Sequence, residues 1–297
     1  MNVKCSSHNL ARRWLLLFLG LWTLSSALAS EQFDHGLLWK IERQGLEPSF
    51  LFGTMHSEDP QVVRLPAAVE QALVSSHGVS LEVVLDPESL LAMTGGFMLG
   101  DGSTLEAHIG APLYRRTVAA VAAYGIPEIV LANMKPWAVA VTLMTPPTRT
   151  GLVLDLVLYQ RAVADGKPVD GLETPLEQLS VFDGLSEQDQ VTLLKDTLDN
   201  LPDIERMLDD VRDAYLARDL RRLVEASDAS MRDSDPQLVA RFTSRLITDR
   251  NRRMAERMQS RLHRGGWFIA VGALHLPGEE GVLQLLSHRG YRVTRVY

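Results

Sequence analysis

Apolar residues arrive in two rhythms along this chain. Short apolar runs at Leu37 to Ile41 and Phe50 to Phe52 flank the polar turn "ERQGLEP", which predicts a hairpin-like pair of strands. "LPAAVEQALVSSHG" then shifts to helical spacing, with Pro66 near the first turn and Gly78 as the stop. "GVSLEVVL" reads as a buried strand, continuous except for one acid, Glu82. Asp86 and Pro87 cap and open the next helix, and "APLYRRTVAAVAAYG" is another, closed by Gly125. "PVDGLE" predicts a short strand ending at Glu173, and the "TPLEQ" that follows carries a capping box of Thr174 and Glu177 with Pro175 in first position. From Ser186 to about Arg264 the pattern is long, charged and helical. "GGWFIAVGAL" is a continuous buried strand, followed by a helix after Pro277 and a last strand, "YRVTRVY". Strands thus alternate with helices at both ends, which predicts an α/β fold: a central sheet flanked by helices, with a helical insertion at about 186–264. No strong repeat and no low-complexity segment interrupts this order.

The first residues follow a different logic. Lys4, Arg12 and Arg13 precede an apolar stretch from Trp14 to Leu24, and Ala27-Leu28-Ala29 supplies a small-x-small cleavage pattern. Residues 1–29 therefore read as a secretory signal peptide, too short and wrongly flanked for a membrane span, with an uncleaved anchoring helix as the alternative. Cys5 is the only cysteine of the chain and lies before the apolar stretch, so it is no lipoprotein acceptor. The domain at 30–297 would hold no disulfide and offer no thiolate chemistry. Export without cysteines points to a bacterial envelope compartment, most simply the periplasm. Cleavage removes three positive charges and moves the formal net charge from −7 to −10. That acidic balance argues against nucleic acid as a partner and against stable membrane insertion once the signal is removed.

Candidate chemistry sits where the strands end. "FGTMH" and "VGALH" each place Gly-x-x-His after an apolar run, ending at His56 and His275, two of only eight histidines. In α/β proteins ligands gather at the carboxyl ends of the strands, and neutral imidazole is the commonest metal ligand. Each histidine taken singly also fits a satisfied strand-end residue. Glu82 requires a partner, because an unpaired buried carboxylate is costly; an arginine, a metal or water at a cleft would each serve. Two histidines and one carboxylate make an open metal site that leaves room for water and substrate. Glu82 would then act as ligand or as general base. Glu173 is either a second acid at a strand end or a residue serving the helix start. Arg250 lies among Arg252, Arg253 and Arg257, a run that ordinarily forms a solvated basic face. Lys135-Pro136-Trp137 reads as structural, and His35, His77, His108, His263 and His288 as surface or packing residues.

"FLFGTMH", "SLEVVL", "MKPWAVAV", "VDGLETPLEQLSVFDGL", "DRNRRMAERM" and "FIAVGALHLPGEEGVLQLL" occur in the order found in the TraB/GumN family, which includes the Tiki proteins. The chain resembles that family over nearly its whole length after the leader. The resemblance implies kinship to the erythromycin-esterase-like and ChaN-like fold group, an α/β core with helical additions. It also implies metal-dependent peptidase chemistry in which the two Gly-x-x-His motifs meet at one site. His56, His275 and Glu82 carry that site, with Arg250, Asn251 and Glu173 implicated beside them; Arg250 would neutralise Glu82 or donate to an oxyanion. The expected cofactor is a divalent transition metal, since imidazole and carboxylate suit zinc, manganese, cobalt and iron alike. The expected partner is a peptide or small-molecule substrate. Rival readings are a metal- or haem-binding protein without catalysis, a metal-independent esterase-like hydrolase, and a regulatory interaction protein.

Overall fold

The computed structural model describes residues 32–231 and 235–297; the leader at 1–29, with Cys5, lies outside the described residues. Six strands form one mixed sheet: β1 (Leu38–Glu42), β2 (Ser49–Thr54), β3 (Gly78–Leu81), β4 (Val169–Gly171), β5 (Trp267–Gly272) and β6 (Arg292–Arg295). Their order across the sheet is β4-β3-β5-β2-β1-β6. Strands β4, β3, β5 and β2 run parallel, whereas β1 and β6 add an antiparallel edge. This is the expected α/β arrangement, and the hairpin predicted at the start is the β1–β2 pair.

β2, β3 and β5 are almost wholly buried, whereas β4, the edge strand that carries Asp170, is half-buried. Phe268, Ile269, Ala270 and Val271 of β5 are all fully buried, and the rings of Phe52 and Phe268 lie 6.0 Å apart. Each large apolar side chain so buried contributes about 1.5–3 kcal/mol. A second apolar cluster forms among the helices around Trp137, whose ring stacks on Phe182 at 4.9 Å and meets Phe97 edge-on. Lys135 and the Trp137 indole N–H both donate to Asp183, which fits the structural reading of this segment.

Several local expectations hold and two need correction. Asp86 caps the helix Pro87–Gly96 by accepting from the Ser89 N–H, and Thr174 with Glu177 forms the capping box of the helix Pro175–Asp183. Gly125 closes its helical segment in the left-handed region, at φ 65°. Gly78, read as a helix stop, is instead the first residue of β3; the helix Ala67–Ser75 ends earlier, at a Ser76 cap. An added Cβ at Gly78 would stand 2.9 Å from the Trp267 ring, so close packing between strands sets that glycine. The strand itself stops at Leu81, so Glu82 follows it rather than interrupting it. Helices dominate the described residues between Glu187 and Arg264.

Candidate functional site

Because β2, β3, β4 and β5 are parallel, their carboxyl ends face one edge of the sheet. Thr54 of β2 pairs with Gly272 of β5, and Leu81 of β3 pairs with both Ala270 and Gly171. Both Gly-x-x-His segments therefore leave the sheet side by side. Glu82 and Glu173 leave it from the two neighbouring strands, joined by a Glu173 N–H to Glu82 C=O bond of 2.7 Å.

The two motif glycines have different reasons. A Cβ at Gly53 would stand 2.7 Å from Leu276 Cδ1 and 3.2 Å from the Ala273 Cα, so the turn after β5 packs directly on β2. A Cβ at Gly272 would stand 3.3 Å from Glu82 Oε1. Glycine there lets the carboxylate reach the Gly272 N–H, which donates to Oε1 at 2.5 Å.

Glu82 is held from three sides. Its Oε2 accepts from Arg250 Nη2 at 2.7 Å and from Gln178 Nε2 at 3.2 Å, and its Oε1 also faces His275 Nε2 at 3.5 Å. Burial pushes this carboxyl up, but the His275 ring in its charged form, the Arg250 guanidinium and the Gly272 N–H hold it below the usual range. Glu173 is fully buried and accepts from Arg250 Nε at 2.9 Å and from Arg253 Nη2 at 2.6 Å. Arg250 thus forms a close ion pair with Glu82. The run is solvated only in part: Arg252 is exposed, whereas Arg250 is buried, Arg257 binds Glu177 at 2.6 Å, and Arg261 meets Asp170 at 3.0 Å. Glu177 serves the helix start, so Glu173 belongs to the strand-end cluster.

His275 is buried in a short 3-10 turn. Its Nδ1 lies 2.7 Å from Asn251 Oδ1, and the Asn251 amide is oriented by donating to the Glu280 carbonyl at 2.8 Å. An oxygen facing Nδ1 requires a proton there, which leaves Nε2 as the lone pair turned toward Glu82. Burial outweighs the attraction of Glu82 and lowers the His275 pKa, favouring the neutral ring. His56 differs on every count: its side chain is 70 % exposed, and its Nδ1 stands 3.9 Å from Asp155 Oδ2.

Asp155 escapes the sequence reading. It occupies the first turn of the helix Leu154–Ala164, and its Oδ1 accepts from Thr54 Oγ1 at 2.8 Å, tying it to the end of β2. Burial pushes its carboxyl up and the charge of Glu82 adds to this, against the Thr54 hydrogen bond. The neighbouring Glu58 carboxylate accepts from the N–H groups of Arg149, Thr150 and Gly151 at 2.8–3.0 Å, fixing the segment that precedes Asp155. Beside His56 lies a cleft of ≈ 370 Å³ with walls from Leu90, Met93, Phe97 and Leu156. Among the described residues no three or more His, Cys, Asp or Glu side chains stand close enough together to hold a metal ion as a group; the donors lie in two pairs, Glu82–His275 and Asp155–His56. No helix among the described residues is long and apolar enough to cross a membrane.

The chain is 25 % identical to "Metalloprotease TIKI2" of Danio rerio over 95 % of its own length and 67 % of that protein's. It is 25 % identical to "Metalloprotease TIKI homolog" of Amphimedon queenslandica, covering 89 % of this chain and 62 % of the relative. It is 26 % identical to "Metalloprotease TIKI1" of Homo sapiens, covering 91 % and 64 %. The chain therefore spans about two thirds of the length of these curated relatives or somewhat less. No solved structure matches it. The model of the TraB/PrgY/gumN family matches residues 37–295, from the residue before β1 to the end of β6, and the chain belongs to that family.

Proposed function

We propose that this protein is an exported, metal-dependent hydrolase that cuts peptide bonds at the carboxyl edge of its parallel strands. The observation that carries the reading is His275: a buried imidazole whose Nδ1 is committed to Asn251 and whose Nε2 is aimed at a carboxylate 3.5 Å away. Two donors on one ion, each at about 2 Å, stand roughly 3–4 Å apart, and both donor pairs fall in that range. The donors stand in two separate pairs here, so one shared ion would have to draw the pairs together; the residue types suit a divalent transition metal, with His56 and His275 as imidazole ligands and Glu82 as ligand or general base. A metal held there would supply Lewis acidity toward a carbonyl group and an attacking water. Arg250 keeps Glu82 ionised, and Asn251 keeps His275 in the ligating tautomer. Glu173 holds Arg250 in place from below. The apolar cleft beside His56 suits a substrate side chain, which favours peptides over small polar esters. The names of the Tiki relatives support protease chemistry, and the leader sequence supports export to the periplasm.

The test is a mass-spectrometric peptide-library digest by purified protein before chelation, after chelation and after return of zinc, manganese, cobalt or iron. Cleavage that disappears on chelation and returns with one of these metals is the expected result. Stoichiometric metal or haem without cleavage would replace the hydrolase with a binding protein. Hydrolysis indifferent to chelation would establish the metal-independent enzyme instead. With activity in hand, Glu82→Gln should lower cleavage by roughly two to four orders of magnitude if Glu82 moves protons. It should retain its metal in that case and lose it if Glu82 is a ligand.

A further inference from the structure

We infer, on the strength of the peptide-hydrolase reading, that the cleft beside His56 selects substrates by one large uncharged apolar side chain, that of a leucine, methionine or phenylalanine. Met93 sets the size that the cleft accepts. The helix Pro87–Gly96 is capped by Asp86 and buries none of its side chains. Yet Leu90, Met93, Thr94 and the C-cap residue Phe97 recur at the i, i+3, i+4, i+7 spacing of one helix face, and all four line the cleft. Leu90 is 46 % exposed. An apolar face of this kind ordinarily packs on a core; here it walls a cleft instead.

The cleft adjoins the candidate site through two residues of its wall, His56 and Leu156, the latter directly after Asp155. A peptide whose scissile bond lies at His56 would therefore place a neighbouring side chain in the cleft. The volume of ≈ 370 Å³ lies near the lower end of the range for small-molecule sites and suits one large side chain. The wall offers no free partner for a charge. Glu58 is the only acid that lines it, and the N–H groups of Arg149, Thr150 and Gly151 and the Thr150 hydroxyl all donate to its carboxylate. An ionised carboxylate offers about four lone-pair directions, so none remains for a substrate lysine or arginine. A charged side chain would be drawn from water unpaired, which is costly. The walls are also fixed from behind. Gly96 lies so close to Leu179 that a Cβ would collide with it, Phe97 meets the Trp137 ring edge-on at 5.2 Å, and Glu58 pins the loop at 149–151.

The experiment pairs a cleavage profile with a binding readout that needs no turnover. Carbon-13 labels on the methionine methyl groups report on the cleft through Met93 and Met98, two of the ten methionines of the chain. Short peptides blocked at both ends, identical except for one central Leu, Met, Phe, Ala, Lys or Glu, are titrated into chelator-stripped protein. The Leu, Met and Phe peptides should shift the Met93 and Met98 signals and bind roughly tenfold or more tightly than the Ala peptide. The Lys and Glu peptides should bind no better than Ala. In the metal-restored digest, Leu, Met and Phe should dominate one position beside the cut bond. Met93→Trp fills the cleft, so that preference should collapse to the Ala level and cut sites should move toward Ala and Gly. Leu90→Lys changes the charge of the same face and should admit the Glu peptide, with circular dichroism confirming the fold of both variants. Equal binding of Leu and Lys peptides, or a preference unchanged in both variants, would overturn the inference while leaving the hydrolase intact. Shifts of the Met93 and Met98 signals on raising protein concentration alone would assign the face to a second copy of the chain and overturn it as well. Selective binding of the apolar peptides without cleavage in any metal form would overturn the hydrolase reading and keep the cleft as the apolar-peptide site of a binding protein.

Discussion

The two Gly-x-x-His segments have the same spacing, the same kind of strand before them and adjacent places in the sheet, yet their histidines live in opposite surroundings. His275 is buried, with its tautomer set by Asn251 and a carboxylate fixed at its free nitrogen. His56 is largely exposed on the loop after β2, beside an apolar cleft, and its nearest acid is 3.9 Å away. Behind His275 stands a ladder of Arg250, Arg253, Arg257 and Arg261 against Glu82, Glu173, Glu177 and Asp170. Behind His56 stand only Thr54, Asp155 and the Glu58-anchored loop. One half of the edge is therefore preorganised and the other is open to substrate. The proposed hydrolase would use both, and a shared motif does not imply a shared role.

Substitutions can widen or erase that contrast. The largest effect should come from Arg250→Met, which removes the only arginine on Glu82 and leaves Glu173 with Arg253 alone; breaking such a buried pair costs about 3–5 kcal/mol. Urea unfolding should show that loss, and a cost below about 1 kcal/mol would mean that the ladder does not organise the His275 side. Next comes Asn251→Leu, which frees the His275 ring to change tautomer. Metal affinity should fall by about 10–100-fold, measured by chelator competition, while Thr54→Val on the other side should cost less.

Glu177 yields a smaller, pH-dependent term. Its hydrogen bonds from Arg257, aided by the Thr174 N–H, lower its pKa to about 2 from a usual value of 4.5. Because the folded value is the lower one, the stabilisation is complete above about pH 4.5 and is lost as pH falls toward 2. Glu177 is one-third exposed, so screening reduces this to about 1 kcal/mol. Glu177→Gln should accordingly be less stable than wild type at pH 6 and nearly equal to it near pH 2. A difference that persists unchanged to low pH would assign the effect to the helix cap alone. The smallest change should be His56→Gln in the metal-free protein, within about 0.5 kcal/mol of wild type as for other exposed positions. A large loss in thermal unfolding would show that the open half is structural after all.

Much of this edge is legible in the sequence because its cues are local. The strands, the Asp86 and Thr174 caps and both Gly-x-x-His ends follow from residues a few positions apart. The arginine ladder does not follow, since a basic helix looks solvated until its acidic partners arrive from β4 and the turn after it, about 80 to 90 residues earlier. Gly78 reads as a helix stop because a glycine between a helix and a strand serves either, and only the Trp267 ring decides. Asp155 is the instructive omission. It is a lone acid in the apolar run "GLVLDLVLY", the same signal that singles out Glu82 in "SLEVVL". One rule applied to both runs finds it.

The central claim is that these two unlike histidines serve one ion. The direct measurement is metal stoichiometry by equilibrium dialysis on folded wild type, His56→Ala and His275→Ala, with circular dichroism confirming the fold. The account predicts one equivalent in the wild type and loss of that equivalent in each variant. Full metal retention in either variant would contradict it.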